Sequence, residues 1–203
     1  MTHNRIRTAL MDATVKIVAE DGLEKLTTRS IASECDLHDA YIYRYFIDKD
    51  DLLKRTFLRE DKLLNDIILE RIRNTNLDEL HFREKLELIW MDTWDLFIDN
   101  PDKCKFYVRY YYSTNFQDAI DEYKEGNKEL MSTFKTFFKT DLDVEMLYHY
   151  NIDTLLHMAM RVAIGELENT ETVKREIFEL IYSINLIFTK KLEKVKKTMG
   201  DNY

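Results

Sequence analysis

Apolar residues recur at intervals of three and four along nearly the whole chain, and the pattern predicts one helix after another. Ile6, Leu10, Ala13 and Ile17 form the first stripe, so a helix is expected over Arg5–Asp21, with Gly22 placed for a left-handed C-terminal cap. Leu26 and Ile31 are spaced as a hydrophobic staple around Thr27, a good N-cap, for a short second helix ending near Glu34 or Cys35. Asp36-Leu37 then turns the chain, with Leu37 facing inward. A third helix opens at His38 or Asp39 and runs to about Phe46, with Ile42 and Phe46 toward the core. The fourth begins after Asp48 and meets no Gly or Pro before Asn74. At about 1.5 Å per residue it spans roughly 36 Å, enough to link two domains.

After Asn74-Thr75-Asn76 the pattern predicts long amphipathic helices over roughly 78–99, 101–113, 116–139, 143–168 and 171–199. Asn100-Pro101 is the clearest break, because proline is tolerated in the first helical turn; Thr140-Asp141 and Asn169-Thr170 punctuate more weakly. The chain has only four glycines and one proline, too few to turn a many-stranded sheet. The expected architecture is all-α with about nine helices. A three-helix helix-turn-helix domain at 1–48 would be joined by a long helix to a larger helical domain at 49–203.

Charge narrows the possible partners. The net charge is −8, but residues 1–60 carry ten Lys/Arg against eleven Asp/Glu, while the remaining 143 carry twenty against twenty-seven. A near-neutral head on an acidic body excludes a wholly basic nucleic-acid coat, yet it permits local phosphate binding. With no run of about 18 apolar residues, no membrane-spanning helix is expected. The N-terminus lacks the pattern of a signal peptide, so a cytoplasmic location is expected. Cys35 and Cys104 lie in separate predicted helices without metal-ligand spacing and are expected to be reduced thiols. His149 and His157 have no acidic or cysteine ligand at a spacing that completes a site, so neither metal nor cofactor is expected. No Ser/His/Asp, Cys/His, paired-carboxylate or phosphate-loop pattern suggests an enzyme.

The third predicted helix exposes His38, Asp39, Ala40, Tyr41 and Arg44, with Tyr43, Tyr45 and Lys49 nearby. A helix fits the major groove of DNA, where Arg grips guanine O6 and N7 and a small apolar group meets the thymine methyl. Tyr hydroxyls, Lys and helix N-terminal amides hold flanking phosphates. The sequence has Thr27 followed by Ile31-Ala32, Cys35-Asp36-Leu37-His38 at the turn, Tyr43 with Phe46, and Lys49-Asp50-Asp51-Leu52-Leu53. Over about residues 5–55 this resembles the TetR family of bacterial transcriptional regulators. The resemblance implies phosphate contacts from Thr27, Thr28, Tyr43 and Lys49, and base contacts from Ala40, Tyr41 and Arg44. It also implies a homodimer on a partly palindromic double-stranded operator, acting as a repressor released by a small-molecule effector.

Three residues depart from the family pattern: Asp36 replaces the turn glycine, His38 the usual serine, and Asp39 a basic or small residue. Asp39 can cap the helix in place of His38, or it can accept a hydrogen bond from a cytosine amine. These acids also leave room for a protein of this fold that reads DNA weakly and acts through a protein partner or as a co-activator.

In the second domain Trp90, Trp94 and Phe97 share a helical face, and Phe106, Tyr107, Tyr110 and Tyr111 follow, then Phe134, Phe137 and Phe138. These rings can simply form a core. They also suit an apolar pocket with a few orienting donors, for which Trp90, Trp94, Phe106, Tyr110, Phe134 and Phe137 are candidates. His157 and Arg161, polar on an otherwise apolar helix, are further candidates, and the expected effector is largely apolar or aromatic. The last helix is apolar over a broad arc that includes Val173, Leu180 and Ile187. That arc exceeds one core contact and predicts a four-helix dimer interface through Ala159, Ala163, Ile177, Ile181, Ile184 and Phe188.

Overall fold

In the computed structural model the backbone is described for residues 3–76, 79–138 and 143–200, and side chains for 4–76, 79–138 and 143–186. The N-terminal part contains α1 (His3–Asp21), α2 (Thr28–Glu34) and a 3-10 reading helix (Asp39–Arg44). A single long helix, α3 (Lys49–Arg73), leads into α4 (Phe82–Asp99), α5 (Pro101–Tyr111), α6 (Ile120–Phe138), α7 (Val144–Ala163) and α8 (Glu171–Gly200). Short 3-10 turns occupy Leu23–Lys25 and Thr114–Asp118, and no strand occurs among the described residues. The reading helix and the eight α-helices give the expected all-α count of nine.

Three boundaries differ from expectation for local reasons. Gly22 has φ 92 and ψ 170, an extended conformation nearly reserved for glycine rather than a left-handed cap. α7 stops at Ala163, short of 168, because Gly165 takes φ 78. The amides of Gly165 and Glu166 fold back onto the carbonyls of Val162 (3.0 Å) and Arg161 (2.8 Å). The reading helix ends at Arg44 as a 3-10 helix rather than reaching Phe46 as an α-helix.

Leu10, Val18, Ile31, Ile42 and Phe46 are buried in the head, together with Leu52 and Leu53 from the start of α3. α1 has no basic residue in its last turn, and the body supplies one. Arg109 on α5 donates to the carbonyls of Val18 and Ala19, so its charge sits at the negative end of the α1 dipole. Farther along α3, Phe57 is fully buried and stacks on Tyr110 with ring centres 4.6 Å apart.

One turn beyond Phe57, α3 places a carboxyl in the interior. Asp61 accepts from the Tyr107 hydroxyl at 2.7 Å, Asn127 Nδ2 at 3.0 Å and Asn65 Nδ2 at 3.2 Å, joining α3 to α5 and α6. Burial pushes this carboxyl up from 3.8 to about 6, and the three donors offset only part of that rise. A carboxyl raised in the folded state favours the protonated form of the fold. Its penalty is therefore absent at low pH, grows as pH rises through 4 to 6, and is complete above that, at about 2–3 kcal/mol. Asp61→Asn keeps the shape, and rotation of the Tyr107 hydroxyl lets it accept from the new amide. The variant should unfold at higher denaturant than the parent at pH 7.5, with the difference shrinking toward zero at pH 4.5. A difference that does not change with pH in paired urea titrations would contradict this assignment.

Candidate nucleic-acid interface and internal cavity

Thr27 opens α2 with a reciprocal cap. Its Oγ1 accepts from the Ser30 amide at 3.0 Å, and Ser30 Oγ accepts from the Thr27 amide at 3.0 Å. Thr27 is exposed and Thr28 half-buried, so both remain at the surface beside the turn. The turn depends on Asp36, whose φ of 54 is the only positive value at a non-glycine residue among those described. The Leu37 amide returns to the Ala32 carbonyl at 2.9 Å, and this directs the next segment across α2.

His38, not Asp39, is the N-cap of the reading helix. Its Nδ1 lies 2.7 Å from Asp39 Oδ1 and 3.3 Å from the Ala40 amide. One ring nitrogen cannot donate to a carboxylate and accept from an amide at once, and the shorter contact is the donation to Asp39. Asp39 is thus tied to an imidazole N–H, which reduces the repulsion a bare carboxylate would exert on a phosphate. It does not take over the capping role.

Ile42 is fully buried and anchors the helix, so its opposite side faces out. Ala40, Tyr43 and Arg44 are exposed and Tyr41 is half-buried. Arg44 lies over the Tyr41 ring at 4.7 Å and has no carboxylate within 4 Å among the described residues. That stacking, worth about 0.5–1 kcal/mol at an exposed site, holds the guanidinium without neutralising it. Lys49 is paired with Asp50 at 2.7 Å, so its charge is already shared. Ile47, 80% exposed beside this surface, was missed in the sequence. Its break in the apolar spacing after Phe46 is the signal that could have revealed it.

The body contains an apolar cavity of about 60 Å³ between α3, α4, α6, α7 and α8. Of the eight residues expected to hold a ligand, Trp90 and Phe134 line it. Trp94, Phe106, Tyr110 and Phe137 are buried elsewhere in the core. His157 and Arg161 point outward instead. His157 is exposed, hydrogen-bonds the Asp153 carbonyl at 2.7 Å and packs on Tyr112, and Arg161 pairs with Glu166. Both are long or polar side chains on the solvent side of α7, whose inner face is filled by Ile152, Leu155, Leu156 and Ala159.

Apart from Trp90, the polar groups at the cavity come from residues the sequence did not single out. Asn151 on α7 and Asn185 on α8 exchange side-chain hydrogen bonds of 3.2 and 2.7 Å, and each also donates to the carbonyl one turn back. The buried Trp90 Nε1 and Tyr148 hydroxyl have no partner among the described residues. Asn151 and Asn185 interrupt apolar helical stripes, which is a legible sign of an internal polar pair.

The expected dimer face divides in two. Ala159, Ile177 and Ile181 are buried within the protomer, because the broad apolar arc of α8 is consumed by its own packing. Ala163 and Ile184 are half-buried, Leu180 is 61% exposed, and Phe188 lies outside the described side chains.

An exposed short helix on a three-helix head, joined by one helix to a body with an apolar cavity, has the layout of a helix-turn-helix protein. Residues 10–56 match the family model described as bacterial regulatory proteins, tetR family. The chain is 23% identical over 152 residues to an uncharacterized HTH-type transcriptional regulator from Haemophilus influenzae, a match spanning 74% of this chain and 79% of that protein. Its fold is similar to a TetR family transcription regulator from Marinobacter aquaeolei VT8, with a TM-score of 0.74 at 19% identity, covering 90% of this chain and 97% of that one. It is also similar to the transcriptional regulator FadR from Bacillus subtilis in complex with stearoyl-CoA, with a TM-score of 0.67 at 18% identity, covering 86% and 96%. No helix among the described residues is long and apolar enough to cross a membrane.

Asp36 holds a conformation that glycine adopts without a Cβ penalty. Asp36→Gly should therefore stabilise the head by roughly 0.5 kcal/mol, read as a raised midpoint in thermal unfolding. An unchanged or lowered midpoint would count against strain at this turn.

Proposed function

We propose that this protein is a cytoplasmic transcriptional repressor of the TetR family that binds a partly palindromic operator as a homodimer and is released by a largely apolar small ligand. Residues 1–48 serve as the reading head and 49–203 as the sensing and pairing body. The observation that carries the reading is Arg44, exposed, unpaired with any carboxylate among the described residues and stacked on Tyr41 beside the small Ala40. This supports a guanine contact from Arg44. Thr27, Thr28, Tyr43 and Lys49 border the same surface and are assigned to phosphates. The half-exposed outer face of α8 around Leu180 and Ile184 supports pairing with a second copy.

For the effector we propose an acyl chain. The cavity is lined almost wholly by apolar side chains, and the Bacillus subtilis FadR structure holds stearoyl-CoA. A volume of about 60 Å³ holds only a few carbons, so a ligand must part α4, α7 and α8 to enter. Ile68 of α3 is part of the cavity wall, and the same helix begins at the head. A ligand that displaces Ile68 would therefore shift the two reading heads relative to each other.

A DNA fragment upstream of this protein's own coding sequence should be shifted by the full chain at low salt, with affinity falling steeply as salt rises. Sedimentation should give the mass of two chains, and Arg44→Ala should weaken the complex at least about tenfold. Failure to shift DNA at low salt would sink the DNA-binding reading in favour of action through a protein partner, which Asp36 and the net charge of −8 would then explain.

Trp90 lines this cavity and stacks on Trp94, the other tryptophan of the chain, with ring centres 5.1 Å apart. Stearoyl-CoA should therefore change tryptophan emission saturably and lower operator affinity. Emission that does not respond, with operator binding unaltered, would remove the acyl-chain assignment.

A further inference from the structure

A second opening lies outside the apolar cavity. α1 and the adjoining faces of α3 and α6 enclose a cleft of about 520 Å³, and Asp61 and Asn65 lie at its buried edge. The two residues are one turn apart on the same face of α3. We propose that this cleft binds a small organic ammonium, with the –NH3+ group on Asp61 and the side-chain oxygen of Asn65.

The open acceptors at this edge carry the proposal. A carboxylate offers about four acceptor positions, and the Asp61 carboxylate receives three donors, all of them neutral. No ion pair forms on it among the described residues. The Nδ2 of Asn65 is committed to Asp61, which fixes the orientation of the amide, and its buried Oδ1 has no donor. One carboxylate position and one amide oxygen therefore await N–H groups. An ammonium supplies three donors and the compensating charge that a buried carboxylate otherwise lacks.

Three of the four cations at the cleft are already neutralised. Arg55 is paired with Asp51 and Glu122, Arg59 with Asp12 and Glu60, and Lys62 with Asp66. The remaining cation, Arg7, lies 5.6 Å from the centre of the Phe46 ring. Met11, Leu58 and Leu69 offer apolar surface for a short alkyl group.

Gly126 shows that the α6 wall of the cleft is open. It lies within α6, where glycine costs about 1 kcal/mol relative to alanine, yet a Cβ there would meet nothing within 4 Å. No packing contact requires the glycine. The space beside it can take a ligand or, in a variant, a large side chain.

The inference is independent of the operator and the acyl effector, since its readout is binding alone. The full chain would be titrated calorimetrically with n-butylammonium at pH 7.5, with 1-butanol and potassium ion as controls. Saturable binding of n-butylammonium is expected, with a raised melting midpoint and no such effect of 1-butanol. Asp61→Asn should weaken binding at least tenfold while folding more stably, and Gly126→Phe should block it with Asp61 intact. Gly126→Ala should retain it. The proposal is overturned if n-butylammonium does not saturate, if 1-butanol binds equally well, or if affinity is unchanged in Asp61→Asn or Gly126→Phe. Binding of potassium ion alone would also overturn it, by making the site one for a bare cation.

Discussion

The unbroken backbone ladder of α3 is the constraint on which the rest of the molecule depends. Over 25 residues it contains neither glycine nor proline, so every hydrogen bond from Asp48 to Asn74 continues one rod. Its first turns close the head with Leu52 and Leu53, its middle carries Phe57 and Asp61 into the body, and its end brings Ile68 to the cavity. Three environments share one rigid element. A change in any of them is felt by the others as a tilt, because a continuous helix bends only gently.

Polar atoms inside the body are arranged to be costly. Asp61 sits among neutral donors, and the side-chain oxygens of Asn65 and Asn127 and the hydroxyl of Tyr148 are buried without partners. Each such group is worth about 1–3 kcal/mol of lost hydration when unpaired. A fold optimised only for stability would fill these positions with apolar residues. The buried Asn151–Asn185 pair differs, since each of its amide groups is satisfied on both sides. It fixes α7 against α8 in register rather than waiting for a ligand.

Helices and the reading turn were legible because they follow from local spacing and capping chemistry: Thr27, Asp48 and Pro101 begin helices where the sequence places them. The left-handed turn at Asp36 was legible for the same reason. The cavity lining was not. Trp90 and Trp94 are four residues apart on one face, yet only Trp90 reaches the cavity, because lining depends on how α4, α7 and α8 converge. His157 and Arg161 failed as pocket residues since a cation on an apolar helix finds solvent more cheaply than an interior partner. The width of the α8 stripe was visible, but not that its own protomer would cover Ile177 and Ile181. Asp61 and Gly126 drew no attention in the sequence, because a polar residue in an amphipathic helix and a lone mid-helix glycine show their significance only when neighbouring helices are in place.

Arg109 has a further mechanical effect. Its guanidinium caps the C-terminus of α1, so separating the head from α5 would take a donor from the Val18 and Ala19 carbonyls, leaving Val18 only the Gly22 amide, and strand a half-buried cation. Head and α5 therefore travel as one lever. The flexing must fall at the two ends of that lever. One is the corner at Asn100, whose φ of −129 and ψ of 68 break the helical path. The other is the short 3-10 run Thr114–Asp118, which joins α5 to α6.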